Sequence, residues 1–389
     1  MRITDVETLA MSTAWRDLTF VKVHTDEGLT GVAECRLPNR TADLLAYLAS
    51  AKHRHIIGHD PFATEALVAR MFRDDFVRAG VVASCGIGLV EMACWDIIGR
   101  ACDQPVYNLL GGPMRQRIKA YANGWYTVER KPEDFAAAAR RVTARGYRAL
   151  KLDPFGAGWY ELERAEKLLA LDIVAAVRDA VGPEVEILIE MHGRFAPHQA
   201  IAIARELEPF EPSWVEEPVP PDNTRALAKA AAGITIPVAT GERLVNKWEF
   251  RELFETQACD IIQPDITNSC GLLEGKKLAA MAEVRYMMVA PHNVGGPVST
   301  AACLHLDATL PNFKIQEYFN DFTDAWVAGV AEGLPQVDPA DGCFPLPSGP
   351  GLGVTLNEDA IAEHPFRERN FCLWDTDWHR RQVAEDELS

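Results

Sequence analysis

Positive charge is scarce in this chain. Across 389 residues, 39 Lys and Arg face 56 Asp and Glu, for a net charge of −17. Such a balance repels nucleic acid and anionic membranes, so neither is expected as a partner. It also means that an anionic substrate would need local positive charge, such as a metal ion. Paired cysteines are missing too. The nine cysteines are scattered, without the short spacings of a zinc site. Reduced thiols in a cytoplasm are the expectation, each a small core residue rather than a nucleophile. The N-terminus, Met1-Arg2-Ile3-Thr4-Asp5, lacks an apolar signal region, and no run reads as long enough to span a bilayer. What remains is an ordinary globular composition, 48% hydrophobic and 24% charged. The length exceeds one simple core, so two domains, or a barrel with additions, are expected.

Residues 1–30 alternate like antiparallel strands, and Phe20–Thr25 and Leu29–Glu34 flank the turn Asp26-Glu27-Gly28 as a hairpin. From 41 to 103 the pattern is helical. Cys85–Cys102 is apolar on nearly every face, which predicts a helix buried between two layers. Leu109-Leu110-Gly111-Gly112-Pro113 marks a junction, giving a first domain over 1–115. Strand candidates then recur at 118–122, 149–153, 186–190, 213–217, 236–240, 260–263, 287–291 and 313–317. Helical patterns lie between them at 132–145, 161–181, 197–208, 222–232, 245–257, 272–284 and 299–310. Eight strands in this alternation predict a parallel, closed α/β barrel over 116–344. The last repeat has no clear helix. The Pro- and Gly-rich stretch 345–357 reads as a loop returning to the first domain, so that 345–389 completes it. The charged tail carries Trp374 and Trp378, read as surface packing or an oligomer contact, and a homo-oligomer is expected.

Glu190, Glu216 and Glu242 stand at equal intervals, each at the carboxyl end of an apolar run, and Asp265, His292 and Glu317 continue the series at nearly the same spacing. Charge is costly inside a core but makes sense where strand ends converge on a site. Three converging carboxylates need a cation, and all-oxygen ligation points to Mg²⁺, with Mn²⁺ as the alternative. Adjacent strand residues face opposite ways, so Glu216 is the ligand and Glu217 is left a supporting role in hydrogen bonding. Asp265 beside His292 would fix the imidazole tautomer and leave its other nitrogen as a base. Glu317, as a protonated or shared carboxyl, would bond a substrate oxygen. His192 shares a strand face with Glu190 and could protonate a leaving hydroxyl; Arg194, two residues on, could bind substrate. Lys151 is assigned an electrostatic role at the site. Asp153 is assigned to the same mouth, holding Lys151 charged or touching substrate.

In order along the chain stand GVAE (31–34), EMACWDIIGR, PVYNLLGG, WVEEP, TGER, QPD, APHN and PGLGV. Together these resemble the enolase superfamily, mandelate racemase-like subgroup, over almost the whole chain. The resemblance implies an N-terminal α+β capping domain over a modified (β/α)7β TIM barrel. It implies Glu190, Glu216 and Glu242 as metal ligands, Asp265 and His292 as a dyad, and proton abstraction α to a carboxylate. Two departures stand out: Glu190 replaces a common Asp, and Lys151-Leu-Asp153 replaces the Lys-x-Lys of racemases, which argues for a one-sided reaction. His192, in MHGR, is similar to the arrangement in sugar-acid dehydratases of the galactonate/gluconate type. The expected activity is therefore Mg²⁺-dependent dehydration of an aldonate or aldarate to a 2-keto-3-deoxy acid. Epimerase, racemase or cycloisomerase chemistry through the same intermediate is the alternative, and a non-catalytic metal-binding protein of this fold is the alternative of another class. By the same resemblance, the loops 12–17 and 37–41 close over the mouth, making Trp15, Arg16 and Arg40 candidate substrate contacts, with the loop 154–160 as another wall.

Overall fold

The computed structural model describes residues 1–78 and 80–381. The end of the charged tail, 382–389, lies outside them. The chain opens with an antiparallel meander of β1 (Ile3–Ser12), β2 (Asp17–Thr25) and β3 (Thr30–Cys35), paired in that order. Val6 pairs with Val23 and Val23 with Gly31, so one apolar face is continuous across the three strands. Helices α1 (Thr41–Ala51) and α3 (Val81–Ala101) cover it, and α2 (Thr64–Asp74) packs on α3. Helix α3 is buried along most of its length. It is also apolar and long enough to cross a membrane, which corrects the reading that no such run exists; 83% of its apolar window is covered by protein instead. Its glycines permit that close packing. A Cβ on Gly88 would lie 2.9 Å from the Thr267 carbonyl oxygen, so α3 approaches the loop that carries Asp265 backbone to backbone.

A short α4 (Val106–Leu109) leads into eight parallel strands: β4 (Arg117–Ala122), β5 (Ala149–Leu152), β6 (Glu186–Glu190), β7 (Trp214–Glu216), β8 (Val238–Thr240), β9 (Ile261–Ile262), β10 (Met288–Val289) and β11 (Gln316–Tyr318). They run side by side from β4 to β10, with β11 on the other flank of β4. Val289 closes the ring: its N–H donates to Asn312 O at 2.9 Å and its O accepts from Lys314 N at 2.8 Å. Helices α5 (Pro132–Ala144), α6 (Arg164–Val181), α7 (Pro197–Leu207), α8 (Thr224–Ala231), α9 (Lys247–Thr256), α10 (Leu272–Glu283) and α11 (Pro297–Thr309) form the outer layer. Proline opens α5, α7 and α11, where the missing N–H costs nothing. Among the described residues no α-helix directly follows β11, only 3₁₀ turns.

Each stave contributes one residue to a dry layer inside the barrel: Tyr121, Ala149, Leu188, Trp214, Ala239, Ile261, Ala290 and Ile315. This layer is the floor of the site. The chain then returns to the N-terminal layer. Cys343–Pro345 pairs with β4, and Leu352 N donates to Asp96 of α3 at 2.8 Å. The tail does more than pack on the surface. Asn39 and Phe371 exchange two hydrogen bonds of 2.9 Å, Arg369 reaches Thr13 O at 2.8 Å, and Trp378 is buried against Gly156 O at 3.1 Å. The tail thus straps the loops around the barrel mouth together, correcting the expectation of a surface role.

Candidate active site

Strand side chains alternate, so the residue two beyond each member of the dry layer points inward one level higher. Those residues are Asn123, Lys151, Glu190, Glu216, Gly241, Gln263, His292 and Glu317. The polar layer directly above the apolar plug is therefore the candidate site. Glu242 stands out of phase with this alternation. Gly241, at φ 128, turns the chain so that its carboxylate still reaches inward.

One oxygen from each of Glu190, Glu216 and Glu242 lies within 4.8 Å of the others. Burial, and then the charge of Glu216, push Glu190 well above the usual carboxylate range. Glu216 is also buried, but Lys151 holds it ionised, down to about 2. Lys151 Nζ lies 2.5 Å from Glu216, 3.1 Å from Glu317 and 3.3 Å from Glu190. Burial would lower the lysine, yet these acids hold it raised and charged. One ammonium cannot offset this many carboxylates, and the buried Oε2 of Glu190 has Lys151 Nζ at 3.3 Å but makes no hydrogen bond. Converging hard oxygens with an orphaned acceptor fit a divalent cation such as Mg²⁺. Glu217 turns away at φ 45 and accepts from Gly241 N at 2.8 Å and from Arg243 and Thr240, which braces the loop bearing Glu242.

Two imidazoles face the same cavity. His292 Nδ1 bonds Asp265 at 2.8 Å, and Asp265 is fixed in turn by Thr267 N at 2.9 Å and Thr267 Oγ1 at 2.6 Å. His292 Nε2 lies 3.2 Å from Glu242. Burial would lower this imidazole, but Glu242, Glu317 and Asp265 raise it to about 9. His192 Nδ1 bonds Asp153 at 2.5 Å, and Arg194 donates to the same Asp153 oxygen at 2.6 Å. Strands β6 and β10 stand on opposite sides of the ring, so the two rings enter from opposite flanks.

Several expectations change here. Asp153 holds His192, not Lys151. Arg194 is fully buried on Asp153 and Gly156 O and does not line the cavity. Lys151 sits beneath the acids, where its electrostatic role is toward them. Glu317 is fully buried and held ionised: burial would raise it, but Lys151 and His292 lower it. Its oxygens accept from Asn123 at 2.7 Å and Asn293 N at 2.8 Å. Arg16 is spent on Val294 O at 2.6 Å and Asn320 at 2.8 Å. The loop 154–160 supports Trp378 rather than lining the cavity.

That cavity measures about 730 Å³ and opens over His192, Glu242, Asp265 and His292. Trp15 lines it, its ring 5.2 Å from Phe319 and 5.4 Å from Phe371. Arg40 stands at the rim, exposed and paired with Asp43 at 3.1 Å. Sequence reasoning missed Arg36, Asn123, Trp378 and Arg381. Trp378 packs edge-on to His192 with ring centroids 5.3 Å apart. Asn123 was readable, since it continues the alternation of β4. Trp378 and Arg381 carried no such signal.

Residues 4–111 match the mandelate racemase / muconate lactonizing enzyme N-terminal domain, and 134–360 match the enolase C-terminal domain-like family. The chain is 40% identical to a D-gluconate/D-galactonate dehydratase of Picrophilus torridus, over 73% of this chain and 72% of that one. It is 32% identical to a D-galactonate dehydratase of Pectobacterium atrosepticum over 96% of both. The solved structure of a mandelate racemase/muconate lactonizing enzyme from Jannaschia sp. CCS1 superposes with a TM-score of 0.88 at 34% identity, covering 95% of this chain and 99% of that one.

Proposed function

The chain belongs to the mandelate racemase/muconate lactonizing enzyme family, and from that premise we propose that it is a hydro-lyase of an acid sugar, an aldonate or aldarate. The observation that carries this reading is the pair of imidazoles, each oriented by its own aspartate, entering one cavity from opposite flanks. In its neutral form His292 Nε2 takes the proton α to the carboxylate, with Asp265 steadying the imidazolium. The electron pair left on the α-carbon forms the double bond as the β-carbon–oxygen bond breaks. His192 Nε2 donates a proton to the departing hydroxyl, which leaves as water. The enol then tautomerises to a 2-keto-3-deoxy acid. Mg²⁺ held by Glu190, Glu216 and Glu242 would supply the positive charge that makes loss of the α-proton accessible. Lys151 keeps Glu216 and Glu317 ionised beneath. Relatives named as D-gluconate and D-galactonate dehydratases support the substrate class. An epimerase would instead use His192 to return a proton to the opposite face of the α-carbon and would release no keto acid. The test is a screen of aldonic and aldaric acids with Mg²⁺, reading 2-keto acid formation. Exchange of the α-proton with no keto acid from any acid in the panel would overturn the dehydratase reading.

A further inference from the structure

Four arginines line the cavity: Arg36, Arg40, Arg243 and Arg381. Two already have partners. Arg40 pairs with Asp43, and Arg243 with Glu217. Arg36 and Arg381 have no carboxylate within ion-pair range among the described residues. Arg381 donates to two backbone carbonyls, Gly124 O at 3.2 Å and His379 O at 3.4 Å. Arg36 makes no hydrogen bond among the described residues, and its Nε is buried without an acceptor. The two guanidiniums pack on the same ring, Arg36 at 4.8 Å and Arg381 at 5.6 Å from the centre of Trp15. A buried donor left unpaired is destabilising, and so are two like charges sharing one wall. Burial pulls Arg36 down to about 10; Glu242 opposes this and Arg381 adds to it, so the group remains cationic at neutral pH. In a protein of net charge −17, an unpaired cationic wall facing a cavity is a binding device.

We infer that Arg36 and Arg381 bind a second anionic group at the far end of the substrate, a terminal carboxylate, so that the preferred substrate is a diacid of the aldarate class. The inference rests on the proposed dehydratase reading, with one carboxylate at the acid cluster and the other on this wall. Guanidinium and carboxylate match as planar, charge-assisted partners. An aldonate has a neutral hydroxymethyl end, which would leave both arginines without a counter-charge. A phosphorylated aldonate also carries a terminal anion and is the other source of this chemistry.

The test compares matched acids that differ only at the terminal carbon: gluconate, glucarate and 6-phosphogluconate, and galactonate with galactarate. The Mg²⁺-loaded wild type should favour the diacid in kcat/KM by about tenfold or more. In Arg36→Met and Arg381→Met that ratio should fall by about tenfold or more. A wild-type ratio at or below one, a preference for the phosphorylated acid, or a ratio unmoved in both variants would overturn the inference while leaving dehydration standing. If no acid yields a keto acid, the dehydratase reading fails by itself. Tryptophan fluorescence titration then still decides the wall, since galactarate should bind more tightly than galactonate to wild type, and equal affinities would sink the idea. Arg36→Lys guards against a variant that fails to fold, because it keeps the charge and should retain part of the preference.

Discussion

Lys151, Asp153 and Arg194 show how far a residue's type lets its role be read. All three could be placed near the strand ends from their positions, but not with whom they pair. Asp153 could reach Lys151 or His192. It goes to His192 because Lys151 is drawn to the Glu216–Glu317 pair, and Arg194 fills the other side of Asp153. The two histidines therefore differ in company: His292 faces carboxylates, whereas the partner of His192 is shared with a guanidinium. This difference predicts separable defects. His292→Asn should abolish exchange of the α-proton in D₂O by about 10²-fold or more, and unchanged exchange would remove it as the base. Asp153→Asn should slow elimination by about 10²-fold while exchange persists, because it acts through His192. An equal loss of both would assign Asp153 to binding instead.

Strand alternation explains most of the site: a dry layer followed two residues later by a polar one. That pattern was legible because its period is fixed by the backbone. Glu242 was legible from its interval but not from alternation, since the turn at Gly241 resets the phase. The helices show a second device. Glu34 of β3 accepts from the N–H groups of Val298 at 2.9 Å and Ser299 at 3.4 Å, and from Gly296, at the start of α11. Glu91 of α3 does the same for Leu272 at 2.8 Å and Leu273 at 3.1 Å, at the start of α10. Carboxylates from one layer thus cap barrel helices of the other. Burial raises Glu34 to about 7 against the opposing backbone donors. A carboxyl raised in the folded state contributes stability below its unfolded value, near 4.5. That contribution is lost as pH climbs through about 7. The stability difference between wild type and Glu34→Gln should therefore shift against wild type from pH 5 to pH 8, on the order of 1–3 kcal/mol. Denaturant melts across that range check it; a difference independent of pH would show that the carboxyl does not titrate there.

At the scale of the whole molecule, the acid cluster is a stored repulsion that a cation relieves. Binding to the folded state alone stabilises it by mass action, about 2.7 kcal/mol at a hundredfold excess over Kd. Mg²⁺ should raise the melting temperature of the wild type, EDTA should reverse the rise, and Glu190→Gln should blunt it. A melting temperature indifferent to Mg²⁺ would remove the ion from the cluster. The barrel, its strand order and the acids and histidines at the strand ends are legible in the chain alone. Local alternation and regular repeats write those features directly into the chain. Which charge pairs with which, and the place of the tail carrying Trp378 and Arg381 in the cavity wall, emerge only once the chain is folded. Pairing among buried charges depends on distances in space, and residues more than 180 positions beyond His192 have no periodic signal to announce that they return to it.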